Sequence, residues 1–229
     1  WIHTNKEAKD FKICRCKNEN FNQWEEYIPP KDEVLIGGFS LLNDWMIRSE
    51  VVDALPKLFI RNLKSNKEEE LVISDEEVIS PGISLMQKDR NTDVLRIGYE
   101  SPMTPARTYE YNISTKEKKL VKELEIPSGY DRDNYVVRRM NCVGHDGRKI
   151  PLTITHHKKT KLDGNAHVLL YGYSSYGYSA PINFSSSRLS LIDRDIIWVT
   201  AHARGGMERG MKWWDEGKML NKKNTFKDY

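Results

Sequence analysis

Apolar and polar residues alternate with a period of two in several short stretches over the first half of the chain. Such alternation is typical of half-buried β-strands. We predict strands at residues 11–17, 34–39, 45–52, 58–63, 71–73, 94–99 and 108–113. Turn residues break the pattern at Pro29-Pro30, Asn66-Lys67, Pro81-Gly82 and Asn91-Thr92. No long helical period appears, so this half is predicted to be all-β, either a sandwich or a propeller.

The second half carries a different pattern, in which two apolar runs enclose a short amphipathic stretch. We predict buried strands at residues 168–170 and 196–200. Between them, residues 185–194 predict a short helix that turns Leu189, Leu191 and Ile192 inward. Strand, helix and strand in this order predict a βαβ unit with two parallel strands.

The segment that joins the two halves predicts a linker followed by a hairpin. Four lysines and three glutamates at residues 116–125 indicate a solvated hairpin edge, and Ile126-Pro-Ser-Gly-Tyr130 has the residues of a linker. Residues 135–141 and 149–155 predict two strands joined by His145-Asp-Gly147. We therefore expect two domains, at residues 1–127 and 128–229.

The stretch that follows the first apolar run of the second half combines glycines with tyrosines, Tyr171-Gly-Tyr173 and Tyr176-Gly-Tyr178. Glycine permits a close backbone approach, and tyrosine carries a hydroxyl on a flat ring. Loops at the carboxyl ends of strands are where open α/β sheets place their chemistry. The composition of this stretch fits a surface loop with no function about as well as it fits a functional loop.

Composition narrows the classes of function. The chain of 229 residues has 38% hydrophobic and 30% charged residues and a net charge of +3, which is too balanced for binding to nucleic acid or to a membrane surface. No apolar run reaches membrane-spanning length. The three cysteines, Cys14, Cys16 and Cys142, form no disulfide framework, which favours a reducing, cytoplasmic compartment. No histidines have metal-ligand spacing with a carboxylate, so we expect no metal and no cofactor.

Several motifs together resemble one known family. They are Tyr171-Gly-Tyr173, Ser187-Arg-Leu-Ser-Leu191, Arg204-Gly-Gly206, Trp214 with Gly217-Lys218, and Lys223-Asn-Thr-Phe-Lys-Asp-Tyr229, preceded by His3 to Phe11, Arg96-Ile-Gly-Tyr-Glu-Ser101 and Ile126 to Tyr130. In order and spacing the chain resembles the prolyl oligopeptidase family of serine peptidases, and within it the oligopeptidase B branch. The resemblance covers essentially the whole chain.

The resemblance implies a mixed fold, with the last blades of a β-propeller followed by the first part of an α/β-hydrolase domain. It also implies a serine nucleophile in a Gly-x-Ser-x-Gly elbow, which these 229 residues do not contain. In the family the nucleophile follows the motif that ends at Tyr229, and the acid and histidine of the triad come later. We therefore expect the chain to be an internal fragment that hydrolyses no peptide alone.

Two candidate site residues remain within the chain. The resemblance implies that Tyr173, the second tyrosine of its motif, donates its hydroxyl to the oxyanion of the tetrahedral intermediate. The motif departs at Ser174, where the family commonly has glycine. Arg204 is the second candidate, and it either binds substrate or holds its own loop together.

The expected partners are short peptides, cleaved after arginine or lysine as the resemblance to oligopeptidase B implies. The loop at Ala180-Pro-Ile-Asn183 has no carboxylate, which argues against a preference for two consecutive basic residues. A proline-specific oligopeptidase is one alternative. A β-rich binding module that lacks a catalytic half is another. The oligomeric state stays open.

Overall fold

The structure is a computed structural model that describes residues 1–17, 20–83 and 90–229. In the described part of the chain, four separate sheets form, three from the first half and one from the second. The first sheet is antiparallel and consists of β1 (Ile2–Thr4), β2 (Lys12–Arg15) and β3 (Glu25–Ile28). The alternating pattern at residues 11–17 predicted β2, whereas no predicted strand covered β1 or β3.

The second sheet is an antiparallel meander of four strands in chain order. Its strands are β4 (Val34–Leu42), β5 (Trp45–Val52), β6 (Leu55–Asn62) and β7 (Glu68–Glu70). The strand predicted at residues 71–73 is wrong, because the outer strand lies just before it. Glu68 pairs with Arg48 of β5, and Glu70 pairs with Lys57 of the adjacent strand β6, which holds this charged strand at the edge. Of the apolar residues that follow, Leu71 and Ile73 pack into the core without belonging to a strand, while Val72 is exposed.

The third sheet has the order β11-β10-β9-β8. Its strands are β8 (Ser80–Ile83), β9 (Val94–Ser101), β10 (Thr104–Asn112) and β11 (Lys118–Glu123). The break predicted at Pro81-Gly82 is wrong, since both residues lie in β8. This is an edge strand, where proline disturbs no ladder. At the opposite edge β11 is exposed throughout, as the predicted hairpin edge required.

The apolar faces of the second and third sheets meet in one core. Its fully buried members include Ile47, Ile60, Leu95, Ile97 and Ile113. Antiparallel sheets stacked face to face in this way are the packing expected between neighbouring propeller blades.

The fourth sheet is mixed and has the order β12-β13-β15-β14. Its strands are β12 (Tyr135–Val143), β13 (Lys149–His157), β14 (Val168–Tyr171) and β15 (Ile197–Ala201). Three short α-helices accompany it, α1 (Ser186–Ile192), α2 (Gly210–Asp215) and α3 (Lys222–Asp228), with 3₁₀ turns at Arg132–Asn134 and Met219–Asn221. The segment between β11 and β12 contains the predicted domain boundary near residue 128, which stays a prediction.

Two predictions for this sheet are confirmed and one is corrected. β12 and β13 form the predicted hairpin, and Gly147 has the positive φ (82°) that its turn needs. β14 and β15 are parallel and joined through α1, which completes the βαβ unit. However, β14 is not buried, because it is the edge strand and its Val168 (59%) and Leu170 (46%) are exposed.

None of the helices formed by the described residues combines the length and apolar character needed to cross a membrane.

Candidate active site

Two loops meet where the parallel strands β14 and β15 end. We call residues 172–180 the tyrosine loop and residues 202–210 the arginine loop. The Gly177 amide donates to the Gly205 carbonyl (2.9 Å), and the Met207 amide donates to the Ser179 hydroxyl (3.3 Å). Carboxyl ends of parallel strands share one edge of a sheet, which is why residues about thirty positions apart become neighbours here.

Glycine is required where the loops touch. Gly205 has a φ of 114°, and a Cβ there would overlap the Ser174 carbonyl. A Cβ at Gly172 would likewise overlap the ring of Tyr229. Gly205 therefore lets the two loop backbones touch, and Gly172 makes room for the Tyr229 side chain beneath the tyrosine loop.

Tyr173 is the residue of the tyrosine loop predicted to act. Its side chain is half exposed, and its ring packs edge-on against Tyr178 with 5.5 Å between the ring centroids. Within the described ranges, no group forms a hydrogen bond with the Tyr173 hydroxyl. Packing of the ring holds Tyr173 in place, and its hydroxyl is free to donate a hydrogen bond. Such a neutral donor is suited to a site where negative charge develops on a substrate oxygen.

Ser174 occupies the position at which the resemblance leads one to expect glycine. It adopts a left-handed φ of 46° and is fully buried, with its hydroxyl 3.1 Å from the Tyr229 hydroxyl. Lys222 donates to the Ser174 carbonyl (2.7 Å) and to the Ser175 hydroxyl (2.6 Å). The backbone thus takes the conformation that glycine favours, and hydrogen bonds from the last helix hold it there.

Arg204, the second predicted site residue, lies inside the arginine loop with 2% of its surface exposed. Its Nε and Nη2 bond both carboxylate oxygens of Asp228 (2.9 and 2.6 Å), and its Nη1 bonds Asp146 (2.6 Å). Bonding to Asp228 raises the pKa of Arg204, and bonding to Arg204 lowers the pKa of Asp146. Of the two roles considered for Arg204, these contacts favour that of holding the loop. Its role in substrate binding stays a prediction.

Two further titratable side chains of the arginine loop are fully buried, and no described residue of opposite fixed charge is in direct contact with either of them. His202 Nε2 lies 2.9 Å from the Thr153 hydroxyl, and burial lowers the pKa of His202 to about 3. Burial also raises the pKa of Glu208 to about 7. His202 Nδ1 and Glu208 Oε1 are 4.0 Å apart. Because the imidazole is neutral near pH 7, the pair is not an ion pair there.

An open groove of about 600 Å³ lies beside the tyrosine loop, lined in part by Tyr176, Trp214, Met219 and Lys222. Tyr176 is 88% exposed, and the Lys222 ammonium is bonded to the loop backbone. The groove is apolar apart from its lysines. For the residues that the structure describes, no cluster of three or more His, Cys, Asp and Glu side chains could hold a metal ion.

The sequence motifs indicated the two loops but not the residues that hold them. Asp146 belongs to the hairpin turn, and Asp228 lies at the end of α3. Asp228 stands within one of the matching motifs, which was a signal of its importance without showing its partner. Glu208 gave no signal, since a lone glutamate in a polar loop is normally solvated.

The comparisons with known proteins agree on one family. Residues 1–124 match the model of the prolyl oligopeptidase N-terminal β-propeller domain, and residues 182–229 match that of the prolyl oligopeptidase family. These matches confirm the predicted fold class of propeller blades followed by the start of a hydrolase domain.

Among curated proteins, the chain is 38% identical to dipeptidyl aminopeptidase BI of Pseudoxanthomonas mexicana and 29% identical to protease 2 of Moraxella lacunata. Both alignments cover all of this chain and 32% of the relative. Among solved structures, oligopeptidase B from Trypanosoma brucei, with covalently bound antipain in a closed form, matches at 31% identity and a TM-score of 0.90. That alignment covers 99% of this chain and 33% of the other, so the chain spans about a third of the length of its relatives.

Proposed function

Because the chain belongs to the prolyl oligopeptidase family, we propose that it is part of a longer serine peptidase that hydrolyses short peptides. The nucleophile, base and acid are proposed to lie outside these 229 residues, which contain no Gly-x-Ser-x-Gly elbow. The observation that carries the proposal is the half-exposed Tyr173, with a free hydroxyl, on a loop whose backbone is held from the opposite side.

The proposed task of Tyr173 is to donate its hydroxyl to the oxyanion that forms when the serine attacks the peptide carbonyl. The carbonyl oxygen becomes negative only in the transition state and the intermediate, so a donor aimed there accelerates the chemical step. The donor must already be in place, because reorganisation at the moment of reaction would reduce the benefit. The contacts of Gly205 and Lys222 with Ser174 fix the backbone next to Tyr173.

For the substrate, we propose cleavage after arginine or lysine. The proposal is supported by the likeness to oligopeptidase B, with which the described residues share their fold at a TM-score of 0.90. Carboxylates would recognise such side chains by charge-assisted hydrogen bonds. The segment Ala180-Pro-Ile-Asn183 offers none, so the carboxylates are proposed to lie outside this chain.

A second candidate is release of dipeptides from the free amino terminus of a peptide. It is supported by the identity to a dipeptidyl aminopeptidase (38%), which exceeds that to protease 2 (29%). The two candidates share the hydrolytic chemistry and differ in whether the substrate's α-amino group is recognised. We propose a cytoplasmic location for either enzyme, which is supported by the free thiols of the three cysteines in this chain.

The test uses the full-length protein with fluorogenic peptides that end in arginine, lysine or proline at the cleaved bond, each with a free and with a blocked amino terminus. Turnover of the basic peptides, abolished by a serine-directed phosphonate, is the expected result. Equal turnover of blocked and free peptides supports the oligopeptidase, and turnover of free dipeptidyl substrates alone supports the second candidate. Faster cleavage after proline contradicts the proposed preference. No phosphonate-sensitive turnover of any peptide contradicts the peptidase.

A further inference from the structure

We propose that Glu208 is a positioning residue for Tyr173: its buried carboxyl fastens the end of the tyrosine loop to the arginine loop and so fixes where the Tyr173 hydroxyl points. The inference rests on the proposed function of Tyr173. Among the described residues, the hydrogen bonds of Glu208 go to Ala180 and Ala54 and not to Tyr173, so its effect must pass through the loop.

The contact that carries the inference is a hydrogen bond across the two loops. The Ala180 amide donates to Glu208 Oε1 (3.2 Å), in a place where the carboxyl is fully buried. The carboxyl also lies against the backbone of Gly206, where a Cβ would overlap Oε2. Gly206 in turn pairs with Gly177 of the tyrosine loop. The Glu208 side chain therefore lies between the two loop backbones and contacts both.

Glu208 is held from the opposite side as well. Its carbonyl accepts a hydrogen bond from the Ala54 amide (2.8 Å) in the turn between β5 and β6. The neighbouring Arg209 bonds the carboxylate of Asp53 in the same turn (Nε to Oδ1, 2.7 Å). Glu208 thus connects a propeller turn, through its backbone, with the tyrosine loop, through its side chain.

The groups around the Glu208 carboxyl favour its protonated, neutral form, which can still accept the hydrogen bond from Ala180. The facing titratable groups are His202, whose Nδ1 is 4.0 Å from Oε1, and Tyr229, whose pKa the Glu208 charge helps to raise. His202 is neutral near pH 7, and among the described residues none gives Glu208 Oε2 or His202 Nδ1 a hydrogen bond. Burying a carboxyl costs free energy when no described cation pairs with it. We infer from this cost that the carboxyl is kept for its hydrogen bond with the Ala180 amide, which fixes the end of the tyrosine loop.

The experiment is a double-mutant cycle on kcat in the full-length protein, with Tyr173→Phe, Glu208→Met and both together. Glu208→Met keeps the volume and removes the acceptor, while Glu208→Gln keeps a neutral acceptor. We expect Glu208→Met to lower kcat by about 10- to 10²-fold with little change in KM, since small misplacements of a catalytic group have effects of that order. Glu208→Gln should retain most of the kcat. Glu110→Ala, which removes a surface glutamate paired with Arg96, is the matched control and should change neither constant.

The cycle separates this inference from the proposed function. If Glu208 acts through Tyr173, the double variant is no slower than Tyr173→Phe alone. If Tyr173→Phe is slow but the two losses multiply, the positioning role is wrong and the function of Tyr173 stands. If Tyr173→Phe keeps full kcat, the function of Tyr173 fails and the positioning role fails with it. Should Glu208→Met not fold, Ala180→Pro removes the donor of the same hydrogen bond, and the same outcomes apply to it.

Discussion

The two loops at the candidate site treat their side chains in opposite ways. In the tyrosine loop, burial alternates, so that Tyr173, Tyr176 and Tyr178 are exposed while Ser174 is buried. In the arginine loop, residues 202–206 are buried without interruption. One loop therefore exposes its tyrosines to solvent, and the other packs beneath it. The difference shows that a buried polar loop can determine where the exposed side chains of a neighbouring loop are held.

Within the arginine loop, the buried ionisable side chains fall into two kinds, one that is ion-paired and one that is neutral. Arg204 keeps its charge, because Asp228 and Asp146 pair with it. Among the residues that the structure describes, none pairs in this way with His202 or Glu208, and burial shifts the pKa of each toward its neutral form. The first arrangement depends on partners from distant parts of the chain, and the second depends on pH.

The largest expected effect comes from breaking the ion pair of Arg204. Arg204→Met leaves the buried Asp228 carboxylate without its partner, and loss of one member of a buried pair typically costs about 3–5 kcal/mol. We expect a correspondingly lower unfolding midpoint in thermal or urea denaturation of the full-length protein. Arg96→Met breaks the exposed pair with Glu110 and should cost at most about 1 kcal/mol. Equal losses for the two variants would show that the Arg204 pair does not stabilise the loop.

In the tyrosine loop, Tyr173→Phe removes one hydroxyl and keeps the ring against Tyr178. We expect kcat to fall by about 10²–10³, or roughly 3–4 kcal/mol, with little change in KM. Tyr176→Phe removes a hydroxyl from the most exposed tyrosine of the same loop and should leave kcat unchanged. Steady-state kinetics on an arginyl peptide would measure both, and a rise in KM alone would make Tyr173 a binding residue.

The pH dependence of stability tests whether the buried Glu208 is neutral in the folded state. The pKa of Glu208 rises from 4.5 to about 7 on folding, so the folded state holds its proton between these values while the unfolded state loses it. The contribution of Glu208 to stability is therefore full below about pH 4.5 and falls as the pH rises toward 7, by roughly 2–3 kcal/mol. His202, whose pKa burial lowers to about 3, contributes in the opposite sense over part of this range. Glu208→Gln cannot ionise, so between pH 5 and 8 its melting temperature relative to that of the wild type should rise. Parallel curves would mean that Glu208 does not titrate in this range.

The smallest effect is expected at Ser174, in the alternating loop. Ser174→Gly relieves a left-handed conformation, which costs about 1–2 kcal/mol in other residues, but loses the contact with the Tyr229 hydroxyl, worth about 1 kcal/mol. The two nearly cancel, so stability and kcat should change little. Ser175→Gly is the control, because it removes an acceptor of Lys222 without relieving a positive φ. A Ser174→Gly variant less stable than Ser175→Gly would show that the backbone is not strained there.

The alternating pattern of residue types predicted most of the strands in the described part of the chain. β5 begins and ends where the pattern predicted, and β9 alternates between buried and half-buried residues along most of its length. The pattern did not predict β7 and β8, because these residues form strands owing to their position at the edge of a sheet. Glu68 and Glu70 are held in an edge strand by ion pairs with Arg48 of β5 and Lys57 of β6, and Pro81 is accommodated because β8 needs no second ladder.

The site was predictable only in part. The motifs indicated Tyr173 and Arg204, since each stands in a recognisable local stretch. The partners of Arg204 lie 24 and 58 positions away, and local patterns do not show which distant residues will pair. The burial of Glu208 follows from packing between a propeller turn and two loops, which no single stretch of sequence encodes. The exposure of β14 escaped prediction for a related reason, because an apolar run does not reveal which strand lies at the edge.

The most direct test of the account measures how tightly the full-length protein binds a peptidyl trifluoromethyl ketone, whose adduct with a serine carries an oxyanion. If Tyr173 donates to that oxygen, Tyr173→Phe should weaken binding by about 10²–10³, the same factor by which kcat falls, while KM for the matching peptide stays nearly constant. Unchanged affinity for the ketone in Tyr173→Phe would contradict the account, because the hydroxyl would then make no contact with the developing charge.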